Sequence, residues 1–253
     1  MREGPHPARM PAVSTLGRAA ILSSALLLAA TGAFALGARE SAGSGNVGRE
    51  NRTVPAFTAI VIEGSGNVTL SQESSQSVSV ETDDNLLPLV KTEVRAGVLY
   101  LGFKPGTKPV HVSQLEFLIG VPKLTAVKIS GSGNLHATGL IRADELALEI
   151  SGSGSIYSEL AVGRLTVAIS GSGGMTAEGK ADQLALTING SGSMQAHDLV
   201  SGTAEVAVNG SGEAVVNARR AISIEVSGSG RVAYGGGAKA TITKSGSGVV
   251  QRF

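Results

Sequence analysis

The chain has 253 residues, no cysteine, no tryptophan and a nearly balanced charge of 21 basic against 20 acidic side chains. Without cysteine there is no disulfide framework, thiolate metal site, iron–sulfur cluster, cysteine nucleophile or lipidated cysteine, and the charge balance gives no basis for nucleic-acid binding. Glycine, at 35 residues, is roughly twice its usual share, yet Leu, Ile, Val and Phe together number 67, enough for a packed core.

Arg2, Arg9 and Arg18 precede an uncharged run from Ala19 to Ala38 centred on Leu26-Leu27-Leu28, with Ala33-Phe34-Ala35 in the small-x-small form of a cleavage site. A basic n-region, an apolar h-region and such an exit read as a secretory signal peptide over residues 1–35. The alternative is an uncleaved N-terminal anchor, since about 18 apolar residues can just span a bilayer. Ser23, Ser24, Thr31 and Gly32 interrupt the run and favour cleavage. Residues 36–253 are then the mature, exported domain, placed in the periplasm, the cell envelope or the extracellular space.

Residues 53–123 form an irregular first part. Phe57–Ile62, Val78–Val80, Val98–Phe103 and Leu115–Val121 read as strands. Asp83-Asp84-Asn85-Leu86-Leu87-Pro88 reads as a short helix capped by Asp83 or Asp84 and limited by Pro88. Lys104–Pro109 reads as a loop. This part is expected to pair with the first coils of the regular repeats beyond residue 124 and to cover one end of them. Gly43-Ser44-Gly45-Asn46-Val47 repeats as Gly64-Ser65-Gly66-Asn67-Val68, which suggests an additional N-terminal coil.

From residue 124 the pattern is regular. Gly-Ser-Gly begins at residues 43, 64, 131, 152, 171, 190, 210, 228 and 246, and from Gly131 the spacings are 21, 19, 19, 20, 18 and 18. Before each copy apolar residues alternate with small or polar ones: Leu146, Leu148, Ile150; Leu165, Val167, Ile169; Leu184, Leu186, Ile188; Ile222, Ile224, Val226. That is a strand with one buried face. An apolar residue returns soon after most turns, as at Leu135, Ile156, Met175, Met194 and Val232. A unit of about 19 residues cannot bury such a face alone, whereas stacked units build a continuous core. Glycine suits the turn because it accepts positive φ and because a Cβ would crowd the neighbouring coils, and the serine hydroxyl can satisfy turn backbone groups. Propeller blades need about 40 residues, and sandwich strands carry no tripeptide at a fixed register. The pattern predicts an all-β chain, a right-handed parallel β-helix or solenoid.

The succession GSGNVGRENRTVPAFTAIVIEGSGNVTL, ETDDNLLPLVKTEV, the repeated alternating strands with GSG, and VSGSGRVAYGGGAKATITKSGSG resembles the putative auto-transporter adhesin head GIN domain. The resemblance spans roughly residues 43–253. It implies a secreted bacterial domain with a right-handed β-helix-like fold and an adhesin role assigned by architecture. The translocating barrel of an auto-transporter is not represented. Phe253 has the place of a barrel-terminal aromatic, but Gln251 breaks the required alternation and no barrel precedes it.

Candidate chemistry is sparse. Asp144 and Asp182 fall in one column of the repeat with Gly163 between them, roughly 9.6 Å apart at the spacing of stacked strands, a separation compatible with an inverting glycosidase pair. The neighbouring column, Glu145, Arg164 and Gln183, reads more simply as a solvated ladder with one ion pair. No aspartate recurs as in calcium-binding nonapeptides, and His136 and His197 differ in register. No G-x-S-x-G elbow or phosphate loop occurs. Tyr157 and Tyr234 are the aromatics of the repeat region, beside turns. No catalytic, cofactor-binding or metal residue is assigned. The expectation is a non-enzymatic envelope interaction module that makes shallow repeated contacts through outward residues such as Lys128, Glu149, Thr187 and Glu225. Its partner is unnamed, with cell-surface polysaccharide or envelope protein as candidates; a membrane enters only through an uncleaved leader. The alternatives are a polysaccharide-active β-helix enzyme and a structural protein that pairs with copies of itself through exposed strand edges.

Overall fold

The structure, a computed structural model, describes residues 39–253. The export segment read from residues 1–35 lies outside the described residues. The described chain is nearly all-β, with 74% strand and about seven turns of a β-solenoid. The described residues form one compact unit that carries its own core.

The regular half is built from β-strands far longer than the sequence pattern suggests. After β1 (Arg39–Ala42), β2 (Val47–Asn51), β3 (Ala59–Gly64), β4 (Asn67–Gln72), β5 (Ser77–Asp83), β6 (Val90–Arg95), β7 (Val98–Phe103), β8 (Thr107–Val110), β9 (Leu115–Val121) and β10 (Ala126–Gly131) come five strands of 16 to 19 residues. These are β11 (Asn134–Gly152), β12 (Ser155–Gly171), β13 (Gly174–Gly190), β14 (Ser193–Gly210) and β15 (Glu213–Gly228), followed by β16 (Arg231–Gly235), β17 (Lys239–Ser245) and β18 (Val249–Arg252). Each long strand runs from one Gly-Ser-Gly turn to the next. Successive strands pair in parallel and in register, so that Ile129, Ile150, Ile169, Ile188, Val208 and Val226 form one inward ladder. Leu135, Ile156, Met175, Met194, Ala214 and Val232 form another on the far side of the turn. All of these side chains are buried. Burying each large one contributes about 1.5–3 kcal/mol, and the isoleucine and valine of the first ladder suit a pleated surface because branching at Cβ restricts them there.

The Gly-Ser-Gly turn belongs to the ladder itself. The Ser172 N–H donates to the Gly152 carbonyl at 2.9 Å and the Gly174 N–H to the Gly154 carbonyl at 3.0 Å, with equivalent bonds in the neighbouring coils. The first glycine has positive φ, +114° at Gly171, and a Cβ there would lie 2.6 Å from the Gly152 carbonyl oxygen. The second glycine does not have this φ, but a Cβ at Gly173 would lie 2.5 Å from the Ile150 Cγ2. Two different constraints therefore keep the two glycines. The serine hydroxyl has a different role from the one expected. Stacked backbone groups satisfy the turn, and the hydroxyls of Ser65, Ser132, Ser153, Ser172, Ser191, Ser211, Ser229 and Ser247 are exposed, with no hydrogen bond among the described residues.

The order of coils in space departs from the order in sequence. β3 lies between β7 on one side and β10 on the other, parallel to both. β4 likewise lies between β9 and β11. The chain lays down one coil, runs outward to build the end of the stack, then returns to continue on the opposite side. Antiparallel β6 against β7 and β5 against β9 close that end, as expected of a cap. The first Gly-Ser-Gly copy adds no full coil: β1 pairs in parallel with β8, while β2 runs antiparallel to β5.

The expected capped helix is a single 3-10 turn, Leu87–Leu89, with Leu86 at its N-cap and no side-chain cap. Asp83 instead turns inward. Its buried carboxylate accepts from the Gly45 N–H at 2.7 Å, the Ser113 N–H at 2.8 Å and the Ser113 hydroxyl at 2.9 Å. One carboxylate thus ties the first Gly-Ser-Gly turn to the segment leading into β9.

Candidate functional site

Three outward columns meet along the Gly-Ser-Gly edge. The residue before the turn is Glu63 on the coil nearest the cap and then Ser130, Ser151, Ser170, Asn189, Asn209, Ser227 and Ser245, and the turn contributes its exposed serine. The residue after it is Asn67, Asn134, Ser155, Gly174 or Ser193, until Glu213 and Arg231 introduce charge. Register aligns these groups at the parallel-strand spacing, roughly 4.8 Å. Bonds run along the ladder: Asn134 Nδ2 donates to Asn67 Oδ1 at 3.0 Å, the Ser155 hydroxyl to Asn134 Oδ1 at 2.6 Å, and Asn209 Nδ2 to Asn189 Oδ1 at 3.0 Å. Between the Gly131 and Gly190 turns the result is an edge of uncharged donors and acceptors held on paired backbone. The repeat was legible as a turn, but its value as a surface depends on the serines being unused.

This edge ends at the capped side in a half-open cleft of about 290 Å³ lined by Ser65, Asn67, Phe103, Pro109, Val112 and Leu115, with Gln114 beside them. The outermost coil has no Gly-Ser-Gly turn, and the β8–β9 segment forms the wall instead. Nothing in the repeat spacing signals this cleft, because its lining comes from three separate stretches of the irregular part.

The outward residues singled out from sequence do share one ladder: Lys128, Glu149, Ala168, Thr187, Ala207 and Glu225. Lys128 Nζ is paired with Glu149 Oε1 at 2.8 Å, however, so these two charges already engage each other. Asp144 and Asp182 are exposed and flank Gly163, as the repeat register requires. The adjacent Glu145, Arg164 and Gln183 are aligned, with Arg164 Nε 4.0 Å from Glu145. A Cβ at Gly163 would lie 2.6 Å from the Asp144 carbonyl oxygen, so backbone packing accounts for the glycine in this column.

His136 stacks on Tyr157, with ring centroids 4.9 Å apart and planes 13° from parallel. Their faces are turned towards neighbouring coils, so little flat ring surface is offered to a sugar. The Tyr157 phenol donates to Glu178 at 3.1 Å, and this bond is the main reason its pKa lies above the ordinary value. His197 lies in another column, bonded to Asp198 at 2.8 Å and 5.2 Å from the Phe253 ring. Tyr234 is half-buried against the core. Among the described residues no group of three metal-ligating side chains occurs, and no helix is long and apolar enough to cross a membrane.

The architecture defines a parallel β-solenoid whose Gly-Ser-Gly turns form one continuous edge. Residues 56–238 match the family model "Putative auto-transporter adhesin, head GIN domain", and the chain belongs to that family. Similar solved structures include a putative adhesin from Bacteroides fragilis NCTC 9343, 24% identical with a TM-score of 0.81, covering 84% of this chain and 100% of its own. A putative adhesin from Parabacteroides distasonis ATCC 8503 is 26% identical with a TM-score of 0.72, covering 85% of this chain and 100% of its own. A putative lipid binding protein from the same strain is 21% identical with a TM-score of 0.74, covering 85% and 100%. No curated protein matches the chain.

Proposed function

We propose that the protein is a non-enzymatic, exported interaction module of the bacterial envelope, of the adhesin type. Residues 1–35 are its signal peptide and 36–253 its mature domain. The observation that carries this reading is the Gly-Ser-Gly edge, with eight exposed serine hydroxyls along it and an uncharged stretch from the Gly131 turn to the Gly190 turn. A polymer with its own repeated hydrogen-bonding groups, such as a cell-surface polysaccharide, meets many identical weak contacts along such an edge, and contacts linked on one scaffold combine into useful avidity. The family name and the similar solved structure of a putative adhesin support the same reading.

A depletion assay tests it. Purified residues 36–253 are mixed with isolated cell envelopes and a panel of polysaccharides, and protein remaining in the supernatant is measured. Saturable loss onto one material is expected, reduced when Ser153, Ser172 and Ser191 are replaced together by bulky glutamate. No loss onto any material refutes the adhesin reading. Release of reducing ends from any polysaccharide, abolished in Asp144→Ala or Asp182→Ala, would establish the enzyme reading in its place.

A further inference from the structure

The near-neutral total charge conceals a strong asymmetry along the solenoid. Residues 214–253 carry Arg219, Arg220, Arg231, Lys239, Lys244 and Arg252 against Glu225 alone. Residues 39–213 carry twelve basic and eighteen acidic side chains, and the excess of acid lies in the regular coils, where residues 124–213 hold four basic against nine acidic. None of the six C-terminal cations enters an ion pair among the described residues. The nearest carboxylates in register are Glu213, beside Arg231, and Glu225, beside Thr243.

The same end exposes apolar surface. β17 and β18 pair on one side only among the described residues. Of the five large apolar side chains exposed among the described residues, three lie on this coil: Ile242 at 42%, Val249 at 45% and Phe253 at 54%. Ile242 continues the buried ladder of Ile224, so it is exposed because nothing stacks upon it. Two further core ladders end in charge, with Lys244 following Val226 and Arg252 following Tyr234. A core column that ends in a cation does not invite another dry coil.

We propose that the C-terminal coil is a docking surface for an anionic lipid membrane, met end-on. Unpaired cations attract acidic headgroups, while Ile242 and Val249 reach the headgroup boundary, the two contributions that together hold a peripheral protein at a bilayer. The acidic flanks of the regular coils are repelled by the same surface, which selects the end over the side. A second copy is the poorer occupant: end to end, two cationic coils repel, and the capped half of the molecule, residues 39–123 with eight basic and nine acidic side chains, offers no matching acidic pole.

The test is co-sedimentation of residues 36–253 with vesicles of mixed phosphatidylcholine and phosphatidylglycerol, and with vesicles of phosphatidylcholine alone. The expected result is salt-sensitive binding to the mixed vesicles only. Combined Lys239→Ser, Lys244→Ser and Arg252→Ser should weaken it about a hundredfold, at about fivefold per cation. A control with Lys123→Ser, Arg142→Ser and Lys180→Ser should keep it within a few fold, and unchanged urea midpoints show that both variants are folded. Equal binding to both vesicle types, no binding to either, or an equal loss in the control overturns the proposal. So does light scattering that shows the free protein already joined through this coil.

Discussion

At the residue scale, glycine and serine within the same tripeptide have opposite tolerances. Gly171→Ala sets a Cβ against the Gly152 carbonyl and keeps a positive φ, while Gly173→Ala drives one into Ile150. Each substitution should cost about 1–3 kcal/mol in urea denaturation, the usual range for forced backbone strain or an overfilled site. Ser172→Ala, at an exposed hydroxyl with no partner among the described residues, should stay within about 0.5 kcal/mol. Asp83 belongs to this scale too. The Ser113 N–H is the largest influence on its carboxyl; burial opposes it, and the Ser113 hydroxyl and Gly45 N–H add to it, leaving the pKa below the ordinary 3.8. A depressed native pKa contributes stability above the unfolded value and loses it as the pH falls through the folded value. Stability measured by urea midpoint should therefore hold steady down to about pH 4 and then fall, and Asp83→Asn should flatten that acid limb while lowering the plateau.

At the scale of the element, the long strands act through their inward ladders. Ile169 is fully buried between Ile150 and Ile188, and Ile169→Ala should cost about 2–5 kcal/mol by urea denaturation. The elements also show where sequence is enough. Alternation before each Gly-Ser-Gly, as in Leu184, Leu186 and Ile188, reports a strand face directly, because period two and burial are the same fact seen twice. The role of Asp83 was hidden: its main partner, Ser113, is thirty residues away, and locally the residue looks like a helix cap. The position of β3 between β7 and β10 was hidden as well, since nothing within Ala59–Gly64 records which later strand takes which edge. The serine ladder was half legible, visible as a turn but not as a surface. The cleft beside Phe103 and Gln114 was illegible, because it exists only once β8 has folded back over the edge.

At the scale of the molecule, the two ends are closed by different means. Antiparallel strands cover one, and at the other Lys244 and Arg252 stand where the core ladders would continue. Charge at an inward edge position is a known protection against strand addition. Replacing both, with Lys244→Ile and Arg252→Val, should convert this end into a template for stacking. The variant should then show concentration-dependent growth in light scattering that the unaltered domain does not show.

The interposed position of β3 also sets an order in time. Gly152 pairs with Gly171, only 19 positions along the chain, and later coils close comparably short loops. Gly64, by contrast, must find Gly131, and its coil is not covered on the other side until residues as late as Val121 have been made. Loop closure over longer separations is slower and entropically costlier. The regular coils can thus zip up by short local steps while the first-synthesised coil waits, with both edges open, for segments made after it. A chain that folds as it emerges must therefore hold its first coil unpaired until residues as late as Gly131 have followed it, whereas each later coil closes on the one just before it.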